Sequence, residues 1–331
     1  MQPPYSGNGQ SDARIFDKII KSSPISAISE SNRYRLLLPL LEKNNDETNE
    51  RLLRVGVTIA SQWAGEVLIT CVVRVPDQTP YEAFSADKLL MRTARRRTER
   101  LVEQAQEFAP TRGMICLTHN ERRAITNIID RYDCHGTLLK VHSDHSQRRR
   151  LLSGATVEKI IVRAPSDVFV LKFIEADERP KRLLVAVSGG PHSGLAAETA
   201  RAIARESGSS IDIVHVLTED ATESQRNEGK HILDAAAQIV DGVDVERKIV
   251  TGQSVATAII DQSDSYDMTI LGSPAKGLLK QFIFGSIPNS VNRGVKQPVL
   301  MTKHGSKNNR SGFYRWLREK KSIHESEVEF Q

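Results

Sequence analysis

The chain has 331 residues, of which 39% are hydrophobic and 26% charged, and its formal net charge is +5. This length is enough for about two domains of ordinary size, and the composition is that of a soluble globular protein. No apolar run reaches the roughly 18 residues of a membrane-spanning helix, and the N-terminus lacks the apolar core of a signal peptide, so we expect a cytoplasmic protein. The three cysteines lack the spacing of a zinc site and are expected to be buried, reduced thiols.

Positive charge is concentrated in three places along the chain: Arg95–Arg97, Arg148–Arg150 and the C-terminal tail. Such runs are usually solvated helix faces, so we interpret them in that way and predict no specific nucleic-acid partner.

The first half of the chain alternates strands and helices after a polar N-terminal segment. Residues 1–30 are predicted to be mostly disordered, with at most one short helix near the apolar patch at 15–20. Residues 31–174 form the first predicted domain, with strands near 35–40, 66–75, 113–117, 137–141 and 167–171 and helices near 46–63, 85–108 and up to about 132. Continuous apolar strands between amphipathic helices are typical of a parallel sheet covered on both faces.

The second half repeats this order after a linker at 175–181. Its domain, 182–303, has predicted strands near 182–187, 211–216 and 245–250 and helices near 193–206 and 222–240, and a basic tail follows at 304–331. Ile128-Ile-Asp130 recurs at Ile259-Ile-Asp261, and Gly154 and Lys172 recur at Gly285 and Lys303, all at an offset of 131 residues. The first strands, at Arg35 and Arg182, are offset by 147 instead. The sequence therefore predicts two tandem copies of one doubly wound, Rossmann-like α/β unit.

One loop has the character of a phosphate-binding turn. In 184-LVAVSGGPHSGLAAETARAIARESG-208 a strand meets a glycine-rich turn and then a helix N-terminus. Free backbone N–H groups and the helix dipole favour an anion at such a point. In an alternative interpretation the same residues are a tight β-to-α turn, with Pro191 near the helix start and Ser193 as its cap.

The second half resembles a universal stress protein domain. The resemblance rests on LLVAVSGGPHS, on VHV and on TILGSPAKGLLKQFIFGSIPNSVNRGVKQPVLMTK, across about 120 residues. Nucleotide-binding members carry Gly-x2-Gly-x9-Gly-Ser/Thr, which here reads Gly272, Ala275, Gly285, Ser286, and a strand-end Asp, which here is Ser188. The resemblance thus implies a site for ATP or another adenine nucleotide. Its candidate residues are Ala186, Ser188, Gly189, Val216, Gly272, Ser273, Ala275, Lys276, Gly285, Ser286 and Ile287.

Some residues of this signature support nucleotide binding, and others weaken the case for it. A glycine at 272 lets a backbone approach a ligand, and Gly285-Ser286 stands where a helix is predicted to begin. Ala275 adds a methyl group where the family has glycine, and Ser188 removes a carboxylate that would hold a ribose hydroxyl. The alternative, that Ser286 is only an N-cap and the glycines only turn residues, stays open.

The first half resembles the same family more faintly, and also the stress-protein domains fused to some amino-acid permeases. Its positions matching Ser188, Gly272, Ala275 and Ser286 are predicted to be Leu41, Val141, Asp144 and Ala155, and only Gly154 remains of the signature. We therefore expect this copy to be structural, or to form a partner surface.

An enzymatic alternative comes from the same loop. Ser188-Gly-Gly-Pro-His-Ser193 resembles the Ser-Gly-Gly-x-Asp-Ser loop of ATP pyrophosphatases, but His192 replaces the Asp and no separate substrate domain follows. His142-Ser-Asp-His145 has metal-ligand residue types and is interpreted as a solvated loop. We predict no catalytic residues and no metal site, and at most slow ATP hydrolysis.

The sequence as a whole predicts a tandem universal stress protein, acting as a regulatory binding module that forms homo-oligomers. Because members of this family tend to dimerise through their last strand, the resemblance implies that Val168–Leu171 and Val299–Met301 pair within the chain as an internal pseudo-dimer. The alternative of a different class is a nucleotide-free interaction module. It would contact a membrane transporter, with peripheral membrane association, through helix 85–108 and the basic aromatic stretch 313–321.

Overall fold

The computed structural model describes residues 33–41, 46–81, 89–141, 160, 164–172, 179–273 and 297–306, together with the backbone of 18–21. The first half contributes β1 (Lys18–Lys21), β2 (Arg35–Leu41), α1 (Asp46–Ser61), β3 (Glu66–Arg74), α2 (Leu89–Gln106), β4 (Thr111–Thr118), α3 (Glu121–Arg131), β5 (Gly136–Val141) and β6 (Asp167–Lys172). The second half contributes β7 (Arg182–Ala186), α4 (Gly190–Ser207), β8 (Ser210–Leu217), α5 (Glu223–Ile239), β9 (Val245–Thr251), α6 (Val255–Ser263), β10 (Met268–Gly272) and β11 (Val299–Lys303).

All the described strands belong to one sheet, in the order β1-β4-β3-β2-β5-β6-β11-β10-β7-β8-β9. When β1, which pairs antiparallel with β4, is left out, each unit numbered within its own half has the order 3-2-1-4-5, and its neighbouring strands are parallel. The two predicted copies of one α/β unit are thus present as two copies of one topology. Strands β2 and β6 are buried almost throughout, which accounts for their continuous apolar runs, whereas the edge strand β9 is half-buried or exposed.

The two units join edge to edge through their last strands. β6 and β11 are antiparallel, with Val168 opposite Lys303, Val170 opposite Met301 and Lys172 opposite Val299. Because Val168 and Val299 are equivalent in the repeat, this register has the symmetry of a twofold axis through Val170 and Met301. The predicted pairing of Val168–Leu171 with Val299–Met301 is confirmed.

Helices cover both faces of the sheet, as predicted for a doubly wound fold. Helices α1, α2, α4 and α5 pack on one face, and α3 and α6 pack on the other. Among the described residues, the two larger hydrophobic cores run through both units: Leu36 and Leu183 belong to one, and Leu37 and Leu184 to the other. A smaller third core, which includes Val73 and Met91, lies within the first unit. Helix α1 of the first unit also contacts α4 of the second.

Local sequence signals explain where several of these helices begin. Thr222 and Gln225 form a reciprocal capping box at the start of α5, and Asn120 and Ser254 accept backbone N–H groups at the starts of α3 and α6. Gly208 ends α4 in the left-handed conformation, with φ of 76°.

The hydrogen-bond registers correct one detail of the predicted repeat. Val168 and Val299 are equivalent at the predicted offset of 131, because they occupy the same place in the symmetric pairing of β6 with β11. On β5 and β10, however, Thr137 pairs with Leu37 and Thr269 pairs with Leu184, which makes Thr137 and Thr269 equivalent at an offset of 132. The constant offset was therefore wrong by one residue for these strands.

Both ends of the chain differ from the sequence-based prediction. Residues 18–21, predicted to be disordered or helical, form β1 and pair antiparallel with β4 at the edge of the sheet. His304 and Gly305, assigned by sequence to the tail, follow β11 and are buried. Gly305 donates its backbone N–H to Asp167 Oδ1 at 2.8 Å, and His304 Nδ1 lies 3.1 Å from the same oxygen. The rest of 1–30 and of the tail lies outside the described residues.

The three cysteines are confirmed as buried and free of disulfides. Burial raises the pKa of the Cys134 thiol to about 12, so this group is a thiol and not a thiolate at neutral pH.

Candidate functional site

The candidate site lies at the carboxyl end of β7, where the strand order of the second unit reverses. Strand β7 has β8 on one side and β10 on the other. The helix that follows β7 covers one face of the sheet, and α6, which precedes β10, covers the other. Doubly wound sheets leave a crevice for ligands at such a switch point.

The turn between β7 and α4 exposes backbone to this crevice. Gly189 and Gly190 have φ values of 83° and 79°, which favour glycine, and a Cβ on Gly190 would meet nothing within 4 Å. No side chain caps the N-terminus of α4, although Pro191 lies in its first turn. Pro191 has no N–H, so within the first turn of the 18-residue helix the uncapped N–H groups that face an anion are those of Gly190 and His192.

Ser193 has a different role from the predicted cap. Its Oγ accepts the backbone N–H of Ser188 at 3.0 Å, and its side chain is buried. This bond folds the turn back on the helix and leaves the Ser188 side chain exposed at the end of the strand. The helix starts three residues earlier than predicted because Pro191, with its fixed φ, fits the first turn.

Gly272 holds the end of β10 against the start of α4. An added Cβ at this position would lie 2.7 Å from the carbonyl carbon of His192 and 2.8 Å from the backbone nitrogen of Ser193. Because both of these atoms belong to the backbone, only glycine fits here without a shift of the helix. The close approach that the sequence assigned to a ligand at Gly272 is therefore made, at least in part, by the protein's own backbone.

His192 connects this loop to the strand β11 and to the first unit. Its Nδ1 accepts the His304 backbone N–H at 3.0 Å, and its carbonyl oxygen accepts the Thr302 hydroxyl at 3.1 Å. Burial, followed by the nearby His304 and Lys303, lowers the pKa of His192, so its imidazole is neutral at pH 7. His304 in turn contacts the first unit, because its Nδ1 lies 3.1 Å from Oδ1 of Asp167 in β6.

The structure brings together every predicted site residue that it describes. Ala186 of β7 pairs with Leu271 of β10 and Val214 of β8, so the ends of these three strands are adjacent. The residues Ser188, Gly189, Val216, Gly272 and Ser273 follow at those ends. Ala275, Lys276, Gly285, Ser286 and Ile287 lie outside the described residues.

His215 lies in β8 beside the candidate site, is buried and has the local hydrogen-bond partner expected of a histidine within a strand. Its Nδ1 donates to the carbonyl oxygen of Val187 at 2.9 Å, and a Cβ on Gly229 would lie 2.7 Å from its ring. The imidazole is thus a buried bridge between β8, the end of β7 and α5.

The position in the first unit that is equivalent to Gly272 is occupied by a lysine. Lys140 pairs with Leu171 as Gly272 pairs with Thr302, so Lys140, and not the predicted Val141, is the counterpart of Gly272. Its Nζ donates to Thr48 Oγ1 of α1 at 3.1 Å. Burial, with a contribution from Arg51, lowers the pKa of Lys140 to about 8. Asp144, Gly154 and Ala155 lie outside the described residues, as does His142-Ser-Asp-His145.

Within the ranges that the structure describes, no group of three His, Cys, Asp or Glu side chains is placed to hold a metal ion. Within the same ranges, no helix combines the length and the apolar character needed to cross a membrane.

These features define a class of protein: a doubly wound α/β domain, present twice, with a glycine-rich crevice at the switch point of its second copy. Comparison with known families matches residues 180–303 to the universal stress protein family. This part of the chain is a universal stress protein domain. No curated protein sequence matches the chain.

Solved structures show the same fold over most of the chain. A universal stress protein from Archaeoglobus fulgidus DSM 4304 is 16% identical and has a TM-score of 0.51, covering 82% of this chain and 98% of its own. A candidate universal stress protein from Pseudomonas aeruginosa UCBPP-PA14 is 11% identical with a TM-score of 0.50, covering 82% and 93%. A universal stress protein in complex with cAMP is 23% identical with a TM-score of 0.31, covering 38% of this chain and 97% of its own.

Proposed function

We propose that the chain is a tandem universal stress protein, a regulatory binding module whose second unit binds an adenine nucleotide. The observation that carries the proposal is the contact of Gly272 with the backbone of His192 and Ser193. It places the end of β10 against the turn with two positive-φ glycines and an uncapped helix N-terminus. A phosphate group at this turn would accept the free N–H groups of α4.

The charges of the described loop are consistent with weak binding of a nucleotide. The loop Ser188–Ser193 has one titratable side chain, His192, and this imidazole is neutral because its pKa is lowered and its Nδ1 accepts a hydrogen bond. Backbone dipoles therefore supply the attraction for phosphate within this loop. The resemblance adds Ser286 of the signature and the neighbouring Lys276, both outside the described residues. On the ribose side Ser188 offers a hydroxyl in place of a carboxylate.

We infer binding and not catalysis from the same chemistry. A general base needs a free acceptor beside the reacting atoms, and the Nδ1 of His192 is already engaged by the His304 N–H. Slow ATP hydrolysis would have to use a residue outside this loop.

Calorimetry on the full chain tests the nucleotide proposal. Protein stripped of bound ligand is titrated with ATP, ADP and AMP, and saturable binding is expected at concentrations up to the millimolar range. Ser188 is exposed and uses only its backbone N–H, so Ser188→Asp leaves the fold intact and returns a ribose-binding carboxylate. We expect this variant to bind about tenfold more tightly, as one good charged hydrogen bond allows.

Ser188→Ala is the matched control, since it removes the hydroxyl without adding charge. We expect it to bind no more tightly than the wild type. The proposal is wrong if the wild-type protein shows no saturable binding in this concentration range, whatever the Ser188→Asp variant does.

A second candidate function is that of a nucleotide-free interaction module. It is favoured by α2 and the turn after it, where Leu89 and Phe108 are 74% and 72% exposed. Co-sedimentation with liposomes and co-purification with a membrane transporter, with and without residues 307–331, test it. The truncation starts at 307 because His304 and Gly305 contact Asp167.

A further inference from the structure

A groove lies on the helical face of the molecule, between the two units. Its floor is α1, its walls are the carboxyl ends of α2 and α4, and its volume is about 870 Å³. On α4 the groove involves Arg201 to Glu206, about 12 Å along the helix from Ser193, so it is separate from the candidate nucleotide site.

The shape of the groove fits a helix. Its lining runs along α1 from Glu50 to Gln62, which is about 18 Å at the rise of an α-helix. This length matches about three turns of an α-helix.

The rim of the groove is rich in arginine. Arg54 and Arg201 make no ion pair with any described residue, and Arg205 donates to the backbone oxygen of Asp241 at 2.8 Å. The two carboxylates of the lining are already paired, Glu50 with Arg100 and Glu206 with Arg179, each at 3.6 Å. The groove therefore presents positive charge, which an acidic partner would neutralise.

The lining of the groove also includes apolar side chains. Phe108 is 72% exposed at one wall, and the buried residues Leu53, Val57 and Ala105 complete the apolar part of the lining. An exposed aromatic ring is a feature that a bound partner would cover.

We propose that this groove binds an acidic amphipathic helix of a partner protein. The apolar face of that helix would pack on Phe108 and Val57, and carboxylates along its edges would pair with Arg54 and Arg201. Three helix turns at these positions match the spacing of i, i+3 or i+4 and i+7 anchors in helix-in-groove recognition.

Selection from a library of helical 15-residue peptides, displayed and panned on the full chain, identifies such a ligand. We expect the enriched peptides to be acidic and amphipathic. The best of them is synthesised with a fluorescent label, and its dissociation constant is measured by anisotropy. Binding is expected to weaken as the salt concentration rises, because the pairing is electrostatic.

Two variants and two matched controls place the peptide in the groove. We expect the double charge reversal Arg54→Glu with Arg201→Glu to weaken binding at least tenfold, and Phe108→Ala to weaken it about tenfold. Arg226→Glu and Leu89→Ala alter an exposed arginine and an exposed apolar residue outside the groove, and binding should stay within about twofold. Thermal unfolding of each variant checks that the fold is intact.

Three results would overturn the proposal. One is an enriched set without acidic bias, and another is an unchanged dissociation constant in the charge-reversed variant. The third is binding of phosphatidylserine vesicles through Arg54 and Arg201 while no peptide is selected, which would make the groove a lipid-binding surface.

Discussion

In each unit, one carboxylate near the amino-terminal ends of the strands accepts hydrogen bonds from side chains of neighbouring elements. In the first unit Glu66 accepts hydrogen bonds from Arg35 and Arg112. In the second unit Asp212 accepts from Lys248 at 2.7 Å, Tyr266 at 2.5 Å and Arg182 at 3.2 Å. Arg35 and Arg182 are equivalent in the repeat, so both units use the first strand's arginine in this way.

Asp212→Asn should destabilise the protein. Burial by itself raises the pKa of Asp212, but the hydrogen bonds from Lys248 and Tyr266 and the charges of Lys248 and Arg182 outweigh it and lower the pKa. Lys248 and Arg182 are 40% and 49% exposed and can be solvated, so we expect a loss of about 1–3 kcal/mol in the free energy of unfolding by urea at pH 7. The control is Asp234→Asn, whose exposed pair with Arg247 should contribute under about 1 kcal/mol.

The effect of Asp212 should also depend on pH. A lowered folded-state pKa means that its stabilisation is complete above the unfolded value of about 3.9 and is lost as the pH falls through the folded value. The difference between wild type and Asp212→Asn should thus be constant from pH 7 to 5 and shrink below 4. A difference that vanishes already at pH 6 would contradict this account.

Lys140 should destabilise the first unit at neutral pH. Its folded-state pKa of about 8 lies below the unfolded value of about 10.4, so the folded protein binds fewer protons between these values. The free energy of unfolding should therefore rise with pH across this window. After allowance for its partial exposure, Lys140→Met should stabilise the protein by about 1 kcal/mol at pH 7 and reduce that rise. Urea unfolding at pH 7 and 9.5 measures both effects, and the exposed Lys181→Met should change neither.

The elements themselves were largely predictable, because each has a strong local signal. The apolar runs of β2 and β7 and the amphipathic pattern of the helices were enough to predict the α/β unit and its repetition. Strand β1 was missed because its pairing with β4 is distant in sequence, and no local pattern separates four such residues from disorder. Lys140 was missed as the counterpart of Gly272 for another reason. The offset between the two halves changes by one residue between β5 and β6, and the residues that are identical in the two halves do not show this change.

The candidate site was predicted in outline and differs in its contacts. The glycine turn and the helix N-terminus followed from 184-LVAVSGGPHSG-194. The bond from Ser188 N–H to Ser193 Oγ and the packing of Gly272 on the His192 backbone did not, because they depend on the angle between β10 and α4.

At the level of elements, Gly272 should be required for the packing of β10 against α4. Gly272→Ala places a methyl group 2.7 Å from the carbonyl carbon of His192, so the helix start must shift. We expect a loss of about 1–3 kcal/mol in the free energy of unfolding and faster amide hydrogen exchange in the first turn of α4. Gly56→Ala in α1 is the matched control: its methyl group would meet leucine side chains at 3.6–3.8 Å, and it should stabilise the helix by up to about 1 kcal/mol. Equal effects of the two substitutions would contradict the packing argument.

At the level of the whole molecule, the two units share their cores. The core under α1 and α4 includes Leu52 of the first unit and Leu195 of the second, with Phe169 and Leu300 of the central strands between them. The ladder of β6 and β11 adds a continuous run of backbone hydrogen bonds, and Asp167 receives the N–H of Gly305. Neither unit can unfold without exposing apolar surface of the other, so we expect one cooperative transition.

Trp63 offers a probe of that coupling. It lies at the end of α1 in the first unit, with its ring centroid 4.4 Å from that of Tyr34, and the chain's other tryptophan, Trp316, can be replaced by Phe. In this background Asp212→Asn changes only the second unit, yet it should shift the urea midpoint of Trp63 fluorescence as far as it shifts the midpoint of circular dichroism. If the units were independent, Trp63 would keep its wild-type midpoint while circular dichroism showed two steps. In that case the shared cores and the β6–β11 ladder would not couple the unfolding of the two units. Their contribution to the free energy of unfolding would have to be smaller than that of the interior of either unit.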